Sequence, residues 1–227
     1  IESKKARASL GLFLSTALVF SSLVFAFYPA LEPIITTAVT DDVLVSLSVT
    51  SEITISTPSN VTLSSIPGMT GGSSTSSAIA WTIITNDTAG YSLSLKKDTL
   101  LQSGAGGADK QIIDYTETVS GTPDYNWGAV GAGNEEFGFA PSSGSDFVQK
   151  FKNSGSSCNQ AAGSITDGYC WLDIPTTPTT ENLAYKSSAT GSSGSATAIK
   201  VKAEVGSGNY LEEGTYTSTL TATAVTN

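Results

Sequence analysis

The chain has 227 residues, of which 11 are basic and 20 acidic, so its formal net charge is −9 at neutral pH. Such an excess of negative charge repels nucleic-acid phosphates and anionic lipid head groups, which argues against a nucleic-acid-binding protein. The sequence contains no histidine, and this excludes Ser-His-Asp and Cys-His catalytic arrangements together with histidine metal sites. We therefore predict a protein that is not an enzyme and that binds no cofactor or metal.

The first predicted element is an apolar helix near the N-terminus. Residues 8–28 carry no charged side chain, and as an α-helix they would span about 31 Å, enough to cross the hydrocarbon core of a bilayer. Lys4, Lys5 and Arg7 precede this segment, so the positive-inside bias predicts a cytoplasmic N-terminus and an exported remainder. The prolines within residues 29–33 predict that the helix ends there in a kinked neck.

A basic start, a retained apolar N-terminal helix and an exported domain together resemble the type IV pilins, in particular the archaeal type. The resemblance covers about the first 40 residues. It implies that the helix leaves the membrane to pack in the core of a filament, with an all-β head on the filament surface. Bacterial pilins usually carry a glutamate at the fifth mature position, where this sequence has Lys5. The polymerisation helix implied by the resemblance comprises Leu10, Leu12, Phe13, Leu14, Leu18, Val19, Phe20, Leu23, Val24, Phe25 and Phe27.

The sequence thus predicts two parts: a hydrophobic helix and Pro-containing neck at residues 1–40, and an extracellular head at residues 41–227. A pilin would have copies of itself as partners and the membrane before assembly, and would serve adhesion or surface attachment in an extracellular filament. Two alternatives stay open. The chain could be a monomeric surface protein whose helix remains in lipid, or a donor-strand filament subunit whose residues 43–55 complete the sheet of the next copy.

The head begins with a change in hydrophobic period from helical to two. Alternation of apolar and polar side chains predicts a half-buried strand over residues 43–55, with Val43, Val45, Leu47, Val49, Ile53 and Ile55 on one face. The same pattern predicts strands at 79–83, 91–95, 199–205 and 216–224. Because Asn86, Asp87 and Gly90 are turn-forming residues, we expect the segments 78–85 and 90–96 to pair as a hairpin.

Further strand candidates bring the expected number to between seven and nine. They lie at residues 111–119, 136–139, 169–174 and 183–187, separated by loops rich in Gly, Ser and Pro. This number of short strands is typical of a β-sandwich. The predicted fold class is therefore mainly β: a long N-terminal hydrophobic α-helix followed by an immunoglobulin-like β-sandwich head with long loops.

Two cysteines, Cys158 and Cys170, are separated by eleven residues. In an oxidising exterior they are expected to form a disulfide. Closing a loop of this size would stabilise the fold by somewhat under about 3 kcal/mol in the chain-entropy model. A structural zinc site would need four Cys or His ligands, which these two cysteines do not supply.

Two N-glycosylation sequons, at Asn60 and Asn86, lie beside predicted strand ends. We consider both to be candidate attachment points for covalent glycans. Sugars at these positions would coat the outer surface of an exported domain.

Four aromatic residues, Tyr125, Trp127, Phe137 and Phe139, lie close together in the sequence. They could form an exposed stacking platform for sugars or belong to the core of the sandwich. We predict that they are core residues.

Overall fold

The structure is a computed structural model that describes residues 41–227. The chain divides between Ser48 and Val49 into two units, and all ten strands belong to the second. Helical structure within the described residues is limited to two 3₁₀ segments, Ala108–Lys110 and Gln149–Phe151. None of the helices in this part of the chain has the length and apolar character that a membrane span requires.

The predicted fold class, a long N-terminal hydrophobic helix followed by an immunoglobulin-like sandwich, is wrong. The protein is mainly β, and the structure describes no long apolar helix; each 3₁₀ segment has three residues. Residues 8–28, for which that helix was predicted, lie outside the described part. An immunoglobulin domain also pairs strands that follow one another in sequence, whereas in the two main sheets of this protein no two consecutive strands are neighbours.

The strands form two main sheets and one small hairpin. The first sheet contains β1 (Ile53–Ile55), β2 (Gly72–Thr75), β3 (Ile79–Thr85), β7 (Glu135–Ser143) and β9 (Ser195–Val205). The second contains β4 (Tyr91–Lys97), β8 (Glu181–Lys186) and β10 (Leu220–Thr226). The hairpin consists of β5 (Leu101–Gln102) and β6 (Gln111–Ile112).

Strand β9 organises the first sheet. Along one edge, its first half pairs antiparallel with β3 and its second half with β2; along the other edge residues 198–205 pair with β7. Ile199, Val201, Ala203 and Val205 alternate along β9 and are buried. The period-two pattern seen in the sequence is therefore the inward face of the central strand.

In the second sheet, β4 lies between β10 and β8 and turns every second side chain inward. Buried side chains from both sheets belong to one hydrophobic cluster, which is the core of the head. Its members include Ile79, Trp81 and Ile83 of β3, Tyr91, Leu93 and Leu95 of β4, Phe137 and Phe139 of β7, Leu183 of β8 and Ile199 of β9.

The segments 79–83, 91–95 and 199–205 are strands, as predicted, but the predicted hairpin is wrong. β3 and β4 belong to different sheets, and the loop between them connects one sheet to the other. Gly90 in this loop has a φ of 87°, and a Cβ there would collide with the backbone of Lys186. The turn residues thus mark a reversal of the chain without making its two flanking strands partners.

The strand predicted over residues 43–55 is reduced to β1, because residues 41–52 form no strand. β1 pairs with the last three residues of β3. The candidate at 111–119 is likewise reduced to β6, while the candidate at 169–174 contributes two isolated bridges, at Trp171 and Leu172. A period-two pattern shows which face would be buried, but a strand also needs a neighbour to accept its backbone hydrogen bonds.

Replacing Ile199 by Ala should lower the free energy of unfolding by about 2–5 kcal/mol, because it removes a fully buried aliphatic side chain from the central strand and leaves a cavity. Val225 on β10 is 53% exposed, so Val225→Ala should change stability by no more than about 0.5 kcal/mol. Denaturant unfolding of the two variants measures both values. Equal losses in the two would contradict the assignment of the core.

Candidate functional site

An exposed apolar segment precedes β1. Five large aliphatic side chains between residues 43 and 49 are 78–93% exposed, although they lie in no helix or strand: Val43, Leu44, Val45, Leu47 and Val49. Single exposed apolar residues are common, but a contiguous apolar surface of this kind usually marks a site of contact with another molecule. We define residues 43–49 as the apolar segment of the head, the predicted head being residues 41–227; residues 43–48 belong to the first unit and Val49 to the second.

A second feature with unused bonding capacity is the outer edge of β10. Within residues 41–227, β10 pairs with β4 and with no other strand. Its inward side chains, Leu220, Ala222 and Ala224, are only partly buried against the core. A strand edge with free backbone groups can accept a further strand; β1 lies close to β10 but does not pair with it.

Cys158 and Cys170 form the predicted disulfide, with an S–S distance of 2.02 Å and Cα atoms 5.8 Å apart. Cys170 is fully buried in the main core cluster. A shallow depression of about 470 Å³ beside this disulfide loop is lined by small and polar residues from Asn153 to Thr166, with no acidic or basic side chain. This depression therefore offers no general acid or base.

The two sequons differ in their surroundings. Asn60 is exposed. The side-chain amide of Asn86 donates to the carbonyl oxygen of Thr50 at 2.9 Å, and its oxygen accepts from the backbone N–H of Glu52 at 2.6 Å. A glycan on Asn86 would replace one of the two amide hydrogens of a side chain that is held against the backbone of residues 50 and 52, whereas Asn60 is exposed.

The aromatic residues divide between the core and a smaller cluster. Phe137 and Phe139 are buried in the main core, as predicted. Trp127 is partly buried against Tyr115 and Trp171, with ring centroids 4.4 and 4.9 Å away. The rings of Tyr125 and Tyr169 stack on each other at 4.6 Å. Tyr125 and Trp127 are only partly buried, so the prediction of four core residues holds in full for Phe137 and Phe139 alone.

Lys97 belongs to a candidate site that sequence reasoning missed. It ends β4 at the inward position that follows Tyr91, Leu93 and Leu95, and it is fully buried. Its ammonium group donates to the carboxylate of Asp114 and to the carbonyl oxygen of Ile174. The sequence did contain a signal for this site, because Lys97 occupies an inward position of an alternating strand. A charge buried at such a position requires a partner of opposite charge or a hydrogen-bond acceptor.

Two more carboxyl groups accompany this ion pair. The backbone N–H of Asp173 donates to Oε1 of Glu117 at 2.9 Å. Burial, a hydrogen bond with Glu117 and the negative charges of Glu117 and Asp114 raise the pKa of Asp173 to about 7. No group of three or more Asp, Glu, His or Cys side chains within residues 41–227 has an arrangement suited to a metal ion. We define Lys97, Asp114, Glu117 and Asp173 as the buried charge cluster.

Comparisons with protein-family models, with curated proteins and with solved structures found no match for this chain. The residues predicted to drive polymerisation, from Leu10 to Phe27, lie outside the described part of the chain. Their role stays a prediction from sequence.

The raised pKa of Asp173 gives stability a defined dependence on pH. Because the folded state binds this proton more tightly than the unfolded state, the stabilisation is complete below the unfolded pKa and is lost as pH rises through about 7. The chain should therefore lose stability from about pH 4 to about pH 8, and Asp173→Asn should reduce this slope. Urea unfolding across that range measures the slope; an unchanged slope in the variant would contradict the assignment. Glu213→Gln, at an exposed site, is the control.

Proposed function

We propose that this protein is the structural subunit of an extracellular filament, similar to a type IV pilin, that serves adhesion or surface attachment. The observation that carries the proposal is the apolar segment of the head, whose five large side chains are almost fully exposed. Such a surface is unfavourable in water and becomes favourable when a neighbouring molecule covers it. In this proposal the neighbouring molecule is another copy of the chain.

Features of the sequence support an attached, extracellular location. The uncharged run at residues 8–28 lies shortly before the apolar segment of the head, and a basic stretch precedes it. Before assembly this run keeps the subunit in the membrane, and during assembly it exchanges lipid for the same run of neighbouring subunits. At about 25 cal/mol per Å² of apolar surface, covering even part of it offsets the entropy lost by an immobilised subunit.

The character of the head also supports a structural role. The disulfide is a device of oxidising compartments, and the net negative charge keeps a crowded surface soluble. Within residues 41–227, the depression beside the disulfide loop has no acid or base. If the protein is glycosylated, Asn60 is the favoured attachment site, because the amide of Asn86 already bonds the backbone of residues 50 and 52.

Cryo-electron microscopy of surface material, sheared from the cells and purified, tests the proposal. We expect helical filaments built from this chain, with residues 1–30 ordered in the filament core and the β head outside. Recovery of the protein only from detergent-soluble membrane fractions, without filaments, would contradict the proposal and favour the membrane-anchored monomeric surface protein.

A second mode of assembly, strand donation, is favoured by a specific observation. In a strand, Val43, Val45, Leu47 and Val49 would share one face. The apolar segment, residues 43–49, has the same length as β10, which has seven residues. The outer edge of β10 has no strand partner in the described part of the chain. In this mode the apolar segment of one copy adds to β10 of the next, and its aliphatic face covers the partly buried side chains of that strand.

The two faces of the apolar segment provide a matched test of strand donation. The double variant Val45→Ser and Leu47→Ser should abolish filaments, because both side chains would enter the core of the neighbour. Leu44→Ser should leave assembly intact, since Leu44 would face away from that core, although it is 93% exposed in the free subunit. Electron microscopy and sedimentation of the two variants give the readout. Filaments from both variants would contradict strand donation while leaving the filament itself established.

A further inference from the structure

Lys97 occupies a position that an apolar residue would normally fill. It follows Leu93 and Leu95 on the inward face of β4, and its side chain is fully buried. Removing an ammonium group from water costs several kcal/mol, which a single carboxylate recovers only with good geometry and further hydrogen bonds. A charge in this position therefore needs a reason beyond packing.

The other ion pairs of the described residues differ from this one. Six lysine–carboxylate pairs occur between residues 41 and 227, and in the other five the lysine side chain is 16–45% exposed. Among the described residues, only Lys97 has a fully buried amine in contact with a carboxylate. Its partner Asp114 keeps 32% of its side chain exposed, so the pair lies where the core meets the surface.

The backbones of both partners are fixed. The N–H of Lys97 donates to the carbonyl oxygen of Pro175, and its own carbonyl oxygen accepts from the N–H of Thr177, each at 3.0 Å. Asp114 forms a parallel bridge with Phe137 of β7, on a different sheet from β4. Amine and carboxyl group are thus held together by separate parts of the fold.

We propose that Lys97 and Asp114 condense into an intramolecular isopeptide bond that ties the end of β4 to the segment beside β7. The proposal is independent of filament assembly, because it concerns contacts within one subunit. Holding two reacting groups in contact removes much of the entropic part of the barrier. Condensation also eliminates the buried charge, since an ammonium and a carboxylate become a neutral amide.

The reaction is a dehydration and needs no oxidant or reductant. Lys97 gives up a proton and its Nζ attacks Cγ of Asp114, so that an Nζ–Cγ bond forms. One Cγ–O bond then breaks, and that oxygen leaves as water after receiving two protons. The sum is ammonium plus carboxylate giving amide plus water, with no change in total charge. The exposed part of Asp114 gives the water a route to solvent.

Asp173 is the group suited to transfer protons in this step. It lies between the fully buried residues Leu172 and Ile174 and interacts electrostatically with both Lys97 and Asp114. Its pKa is raised to about 7, so it is present in both protonation states near neutral pH and can accept a proton from the amine and donate one to the departing oxygen. Glu117, through its bond with the backbone of Asp173, is a positioning residue.

Mass spectrometry of the full chain tests the proposal. After denaturation and reduction of the disulfide, the purified protein should be lighter than its sequence by one water molecule. A succinimide at Asp167-Gly168 would cause the same loss, so the total mass alone does not suffice. Protease digestion should also yield a branched peptide that joins the Lys97 and Asp114 segments, with no trypsin cleavage after Lys97.

Variants distinguish the cross-link from other losses of water. Lys97→Met should restore the mass calculated from its sequence, while Lys200→Met, which removes the lysine of an exposed ion pair with Asp167, should still lose one water. Asp114→Asn should form the same amide with loss of ammonia, and Asp173→Asn should slow the reaction without changing the product. These two variants keep the test valid if Lys97→Met fails to fold. The proposal would be overturned if the chain without substitutions had the full mass calculated from its sequence and if digestion released the Lys97 and Asp114 peptides separately.

Discussion

The pairing of β9 on both of its edges is the constraint on which the rest of the head depends. Its eleven residues, Ser195–Val205, pair with β2, β3 and β7. Without β9, which comes near the end of the sequence, these three strands would not be joined in one sheet. Its buried aliphatic face then provides one wall of the core, against which the inward face of β4 packs. Removal of this apolar surface from water is the main source of stability.

Two features run against the ordinary distribution of polar and apolar groups. Large aliphatic side chains of residues 43–49 lie in water, and the ammonium group of Lys97 lies in the core. Each is costly in an isolated subunit. Both costs disappear in the proposed mature state: a neighbouring copy covers the apolar segment, and the amide with Asp114 removes the buried charge. The two unusual placements thus have a common interpretation, a subunit made to be completed after folding.

Several parts of this fold could be predicted from the sequence. Alternation located β3, β4 and β9 because these strands bury one face each, and the disulfide followed from two cysteines, Cys158 and Cys170, in a domain predicted to be exported. Strand partners could not be predicted in this way. β3 pairs with β9, more than a hundred residues later, and no local pattern encodes such a long-range register. For that reason the turn before Tyr91 was misinterpreted as a hairpin.

The candidate site shows the same limit. Alternation over residues 43–49 predicted part of a half-buried strand, whereas these residues form no strand and their large aliphatic side chains are exposed. The pattern alone could not show that the segment lacks a partner within the described chain. Lys97 and Asp114 are ordinary surface residues by type, and the folded backbone alone brings them together in the core. Sequence thus describes the chemical character of each segment, whereas contacts between distant segments require the fold.

Hydrogen–deuterium exchange of the full chain, compared between detergent-solubilised subunits and assembled material, tests the central claim most directly. The backbone amides of residues 43–49 belong to no strand in the free subunit, so they should exchange rapidly there and become protected on assembly. Equally rapid exchange in both states would contradict the claim that this apolar segment is the surface through which copies of the chain associate.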